Sequence, residues 1–177
     1  MKGQFWSFDI VFAMVIFVST ISILALAWSS VSGQFSVTYQ NNVGVMQEQL
    51  QTLSSTLLTS GAPYAWSSIV NVTNVSTWNN VSIGLANQSN AGTLSQDKIM
   101  TFVAMSNYDY PYTKSLLGVG YDYYITISNG NFRIAMGRNP ALYNSTAVQL
   151  VNVPVLIGSQ SAQMQIELWT NTSFGIT

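Results

Sequence analysis

From Ile10 to Trp28 no charged residue interrupts an almost continuous apolar run. A helix of that length spans about 30 Å, the thickness of one bilayer core. Further on, the pattern changes from apolar all round to apolar on one side. Phe35, Tyr39, Val43, Met46, Leu50, Leu53 and Leu57 recur at spacings of three and four, which is the stripe of an amphipathic helix. Gly33 falls between the two regimes, where its propensity penalty of about 1 kcal/mol marks a kink or a locally melted turn. One long helix is predicted, its two halves in different surroundings. The stripe is short for a coiled coil, so packing against the chain's own sheet is expected.

Gly61-Ala62-Pro63 ends this helix, as Gly and Pro do after a last turn. Residues 61–93 form a Ser/Asn/Thr-rich connection, which Trp66, Trp78 and Ile83 pin to the body. Ser95 reads as an N-cap, with Asp97 in the first turn of a helix reaching Asn107 that buries Ile99, Phe102, Val103 and Met105. Pro111 opens another short helix, closed by Gly118. Period-two alternation then takes over. Tyr121, Tyr123, Ile125 and Ile127 form one strand, Asn129-Gly130 gives a hairpin signal, and Phe132, Ile134 and Met136 return. Residues 148–157 form a third strand, in which Pro154 indicates an edge or a bulge. Ala162, Met164, Ile166 and Leu168 form the fourth. The fold class expected is α+β, a long N-terminal helix packed on a four-stranded antiparallel meander.

The chain has 177 residues, of which only 6% are charged, and its net charge is −1. Nothing in that balance makes a basic patch for nucleic acid, so no nucleic-acid partner is expected. Cys is absent, which removes disulfides and thiolate metal sites. Ser, Thr, Asn and Gln take the places that charge usually fills. Among them are Asn-x-Ser/Thr sequons at Asn71, Asn74, Asn80, Asn87, Asn144 and Asn171, none with Pro in the middle. N-linked glycans there would supply the solubility that charge normally supplies, whereas without them residues 71–89 read as a flexible, uncharged loop.

The start of the chain is distinctive. Lys2-Gly3-Gln4 precedes the apolar helix, and Asp9 stands where that helix begins. A secretory signal would have a shorter apolar region followed by a small-residue cleavage site, to which Ala25 and Ala27 correspond poorly. The arrangement resembles the class III signal peptide of archaeal type IV pilin-like proteins. In that family a basic residue and Gly precede the cut, Gln opens the mature chain, and the helix is kept. The middle of the chain is similar to such pilin ectodomains too, in Gly61-Ala62-Pro63, Gly84-Leu85-Ala86, Asp97-Lys98-Ile99 and Leu116-Leu117-Gly118 before a Tyr-rich strand. The resemblance implies processing between Gly3 and Gln4 by a prepilin peptidase. It implies assembly by a pilus ATPase and platform into a helical homopolymer, with Gln4 and Asp9 as assembly residues. It also implies a leader at residues 1–3, a transmembrane and filament-core helix at 4–32, its amphipathic continuation at 33–60, and an extracellular head at 61–177. The family often carries an acidic residue at the fifth mature position, whereas here that position is Phe8 and Asp9 is the sixth.

Catalytic chemistry has little to draw on, because the chain has neither His nor Cys. Lys114-Ser115 is adjacent in sequence and would point apart on a helix. Asp97, Asp109 and Asp122 read as solvated or capping carboxylates rather than as a glycosidase-like pair. Oxygen-only metal binding lacks the needed spacing. No enzyme, metal or cofactor is expected beyond the glycans. Tyr108, Tyr110, Tyr112, Tyr121, Tyr123 and Tyr124 read as sheet core and cross-strand pairs, or as faces for sugars or neighbouring subunits. The expectation is a cell-surface filament subunit, serving adhesion or cell contact. The membrane holds it before assembly, and Lys2 orients the ectodomain outward. The alternatives are a membrane-anchored extracellular binding module and a minor pilin that caps or tunes the filament.

Overall fold

The structure, a computed structural model, describes residues 5–88 and 92–171, and within the first helix it describes the side chains of residues 10–28 and from 43 onward. The elements run α1 (Phe5–Leu57), α2 (Trp66–Ile69), β1 (Thr93–Leu94), α3 (Gln96–Tyr108), α4 (Tyr110–Leu116), β2 (Asp122–Ser128), β3 (Arg133–Gly137), β4 (Ala147–Ile157) and β5 (Gln160–Thr170). Short 3₁₀ turns occupy Val75–Trp78 and Pro140–Leu142. The chain divides into two compact units, one containing the N-terminal part of α1 and the other Val43–Ser173.

In the second unit, the head, the α1 stripe is buried at Met46, Leu50, Leu53 and Leu57. Phe35 and Tyr39 belong to the predicted stripe, but their side chains lie outside the described residues. Gly33 lies within the helical span of α1.

The α+β class holds, but the sheet differs from the expected four antiparallel strands. It has five strands in the order β1-β4-β5-β2-β3 and is mixed, because β1 runs parallel to β4 through Thr93↔Leu156 and Leu94↔Ile157. A meander is also excluded, since β5 pairs with β2 along Asp122↔Trp169 to Ser128↔Gln163. Two hairpins, β2–β3 and β4–β5, are thereby joined side by side. The alternating residues Tyr123, Ile125 and Ile127 of β2 and Ala162, Met164, Ile166 and Leu168 of β5 face the core.

Pro154 marks an edge rather than a bulge, as the unbroken β4–β5 register shows. The Leu156 N–H donates to Gly92 O on the β1 side (2.9 Å). Pro154, two residues earlier, faces the same way beyond the two-residue β1. Its missing donor therefore breaks no ladder bond. The turn after β2 takes four residues, 129–132, and Gly130 is not at positive φ. Asn129 shapes it instead, its Oδ1 accepting from the N–H groups of Asn131 (2.9 Å) and Phe132 (3.1 Å). This side-chain mimic of a turn makes the left-handed glycine unnecessary.

The connection after α1 is tied to the body. Trp66, Trp78 and Ile83 are buried as expected. Ala62 and Ser82 form a bridge, and the N–H groups of Leu85 and Ala86 donate to Leu57 O and Thr59 O (both 2.8 Å). Gly61 and Gly84 allow this approach, since a Cβ on Gly84 would lie 2.3 Å from Gly61 N. Ser95 stands at the N-cap of α3 as predicted but makes no side-chain cap bond. Val103 is only partly buried, whereas Ile99, Phe102 and Met105 are fully enclosed. Asp109 caps α4, accepting from Tyr112 N (3.0 Å).

Candidate functional site

Ile10–Trp28 has a mean hydropathy of 2.7, and none of it is buried within the protein. Length and composition suffice for this helix to cross a membrane or to act as a signal segment. Its few hydroxyls are satisfied internally. Ser19 Oγ donates to Val15 O (2.7 Å), Thr20 Oγ1 to Ile16 O (2.8 Å) and Ser22 Oγ to Val18 O (2.8 Å). An apolar surrounding therefore meets no orphan side-chain hydroxyl on this segment. Gly3 and Gln4 lie outside the described residues, as does the side chain of Asp9.

Asn71, Asn74, Asn80, Asn144 and Asn171 are exposed, while Asn87 is half-buried and accepts from Tyr64 Oη (3.3 Å). In the first two sequons the Asn Oδ1 holds the third residue. Asn71 accepts from Thr73 N (3.1 Å) and Oγ1 (2.9 Å), and Asn74 from Ser76 N (3.3 Å) and Oγ (2.7 Å). Beneath them, Trp78 donates through Nε1 to Asn71 O (3.0 Å) and contacts Tyr108 and Tyr112 at ring distances of 6.3 and 5.7 Å. The Tyr108 hydroxyl donates to Thr73 O (3.2 Å), and that of Tyr112 to Asn79 Oδ1. A second pair of sequons, Asn144 and Asn171, is brought together where Thr146 N donates to Thr170 O (2.8 Å).

Tyr110 and Tyr123 have structural roles. Tyr123 is buried between Phe102 and Tyr110, with ring centroids 6.1 and 5.0 Å away, and its hydroxyl donates to Ser106 Oγ (3.0 Å). Tyr110 Oη donates to Asp122 Oδ1 (2.9 Å) and accepts from Tyr123 N (3.0 Å). Burial pushes both phenols well above the usual range, and the neighbouring Asp122 adds to this at Tyr110. Lys114 and Ser115 are not paired: Lys114 Nζ meets Asp122 Oδ1 at 3.1 Å, whereas Ser115 Oγ donates to Tyr112 O (2.7 Å). Asp97 is exposed, and no group of three or more acidic side chains converges among the described residues. Burial also pushes the Glu167 carboxyl up, with Arg133 pulling the other way.

Two cations escaped the sequence reasoning. Lys98 is only 3% exposed. Its Nζ donates to Ser60 O (2.7 Å) and Ala86 O (3.0 Å), and lies 4.2 Å from the Tyr64 ring centroid. Desolvation holds its ammonium pKa below the ordinary value. The signal was its spacing, because Lys98 shares a helix face with Phe102 and Met105 at i+4 and i+7. Arg138 lies over Tyr110 (4.4 Å) and Tyr143 (5.6 Å), and Tyr143 in turn stacks on Trp169 (5.6 Å). Its backbone is fixed at both ends, with N–H to Tyr123 O (2.9 Å) and C=O accepting from Trp169 Nε1 (2.8 Å). No sequence pattern marks it.

Searches against protein-family models, curated proteins and solved structures find no match for this chain.

Proposed function

We propose that this chain is the structural subunit of an extracellular filament of the archaeal type IV pilus kind. It would be inserted in the membrane through α1 before assembly and cut between Gly3 and Gln4. The observation that carries the reading is the Ile10–Trp28 segment, an apolar helix that its own fold leaves unburied, ahead of a separately compact head unit. Such a segment needs either lipid or other copies of itself around it. Further support comes from the Lys2-Gly3-Gln4 start and from the contact between Gly61-Ala62-Pro63 and Gly84-Leu85-Ala86. The exposed sequons and the low charge suit a glycosylated head that serves adhesion or cell contact.

Asp9 is assigned to assembly. An unpaired carboxylate among apolar helices costs several kcal/mol or is protonated. The cut would release an α-amino group at Gln4, positive below a pKa of about 8, and Asp9 would meet that amine. The deciding experiment shears material from cells, images it and measures the mass of the subunit. Filaments whose subunit begins at Gln4 are expected, and Gly3→Val should block both processing and assembly. A subunit retaining Met1 or Lys2 removes the basis of the reading.

A further inference from the structure

Most charges of the head have a partner or a local role. Lys98 has carbonyls, Lys114 pairs with Asp122, Arg133 acts on Glu167, and Asp109 caps α4. Asp97 sits in the first turn of its own helix, where a carboxylate is favourable. Two charges remain, one of each sign. The Arg138 guanidinium rests on Tyr110 and Tyr143 with no ion pair or side-chain hydrogen bond among the described residues. Glu48 is exposed on α1, where residues 43–57 contain no Lys or Arg.

Their settings match as well. Glu48 borders a cavity of about 240 Å³ lined by Val45, Leu53, Leu117 and Val119 together with the polar Gln49 and Thr52. Next to Arg138, Leu142 is 77% exposed and Tyr143 46% exposed. Thus one surface offers a largely apolar recess with a carboxylate at its rim, and the other an exposed leucine beside a guanidinium, both charges without an ion pair among the described residues. Arg and Tyr at the centre of an apolar patch are also the side chains that dominate interface energetics. Arg138 is held in place before any partner arrives, so little side-chain freedom remains to be lost on docking.

We propose that Arg138 of one copy pairs with Glu48 of a second copy, with Leu142 entering the recess beside Glu48. The inference rests on the filament reading and names the contact between heads. A two-fold dimer would form this pair twice about its axis. In the filament reading each copy instead offers Arg138 to one neighbour and Glu48 to another, a heterologous contact that repeats into an open chain. Sugars on Asn144 and Asn171 would stand at the rim of the Arg138 patch, beside Tyr143 and beyond Thr170.

The test uses the full-length chain. Glu48→Arg alters an exposed site and should leave the urea midpoint of unfolding unchanged while lowering filament number at least tenfold. Arg138→Glu should lower filament number as far, with some fall in midpoint because it loses its contacts to the Tyr110 and Tyr143 rings. The double variant Glu48→Arg/Arg138→Glu should recover at least a third of wild-type number. The absence of Cys allows a second measurement, free of background. Wild-type filaments into which a minority of Glu48→Cys/Arg138→Cys chains has been incorporated should, with a short bis-maleimide, give a covalent dimer that neither single variant gives. Wild-type filament number in Glu48→Arg, no recovery in the double charge-reversal variant, or no covalent dimer from incorporated double cysteine chains overturns the pair. A wild-type chain that forms no filaments removes the polymer reading itself, which distinguishes the two failures.

Discussion

Raising the pH should unfold the head through two particular phenols. Tyr110 and Tyr123 are both held protonated by burial, whereas in the unfolded chain they ionise near pH 10. Their folded pKa values are raised, so the stability they contribute is complete below pH 10. It is lost as pH climbs from there toward the folded values. In that window the unfolded state has released protons that the folded state keeps, and each group contributes about −1.4 kcal/mol per pH unit. The two together give about −2.8 kcal/mol per unit. Lys98 acts in the opposite sense. Its pKa is lowered, so stability rises, by at most about 1.4 kcal/mol per unit, between its folded value and about 10.4, and no further. The steep fall should therefore begin above about pH 10.5. Urea unfolding followed by Trp fluorescence at half-unit steps from pH 8 to 12 measures this slope. Absorbance at 295 nm should show Tyr110 and Tyr123 titrating only with unfolding. Tyr123→Phe keeps the ring and should halve the slope. A flat stability between pH 10.5 and 11.5, or all nine tyrosines ionising near pH 10 in folded protein, would refute the argument.

Gly137 sits at φ +90°, and a Cβ there would lie 2.3 Å from Tyr123 O. Gly137→Ala should thus cost at least 1–2 kcal/mol for the left-handed backbone alone, read as a fall in urea midpoint, and a midpoint unchanged within error contradicts it. Native material should carry sugars on Asn71, Asn74 and Asn80, where the side chains are exposed, and less on Asn87, which is half-buried against Tyr64. Peptide mass spectrometry that finds Asn87 the most occupied reverses that order. Asp9→Asn should be processed normally yet assemble poorly. Filaments of normal number and length from that variant would show that Asp9 merely favours its own helix end, an effect of about 0.3–1 kcal/mol.

Elements whose pattern repeats locally were legible. Met46, Leu50, Leu53 and Leu57 announce a buried helix face because one period is written several times, and the alternation in β2 and β5 does the same. Pro154 could be narrowed to an edge or a bulge because its lost N–H has only a few tolerable homes, and the unbroken β4–β5 register chose the edge. Elements defined by distant partners were not legible. β1 is two residues long and carries no period of its own, so Thr93 and Leu94 are a strand only because Leu156 and Ile157 lie beside them. A hairpin turn signals which neighbours pair but not that β5 returns to β2, so a meander was the natural extrapolation. The single cations Lys98 and Arg138 owe their positions to carbonyls and rings contributed by remote segments. Sequons, by contrast, are visible as strings, and the structure added which of them are exposed and that Asn144 and Asn171 share one end of the sheet.

The company kept by Lys98 has a bearing on where such a head can work. A buried ammonium is commonly neutralised by a carboxylate, and that arrangement fails when acid protonates the partner. Here the counter-charge comes from two peptide carbonyls and the face of Tyr64. None of these takes up a proton in moderate acid. The join between the end of α1, the Gly84–Ala86 segment and α3 therefore keeps its electrostatics in surroundings that would loosen a conventional buried ion pair.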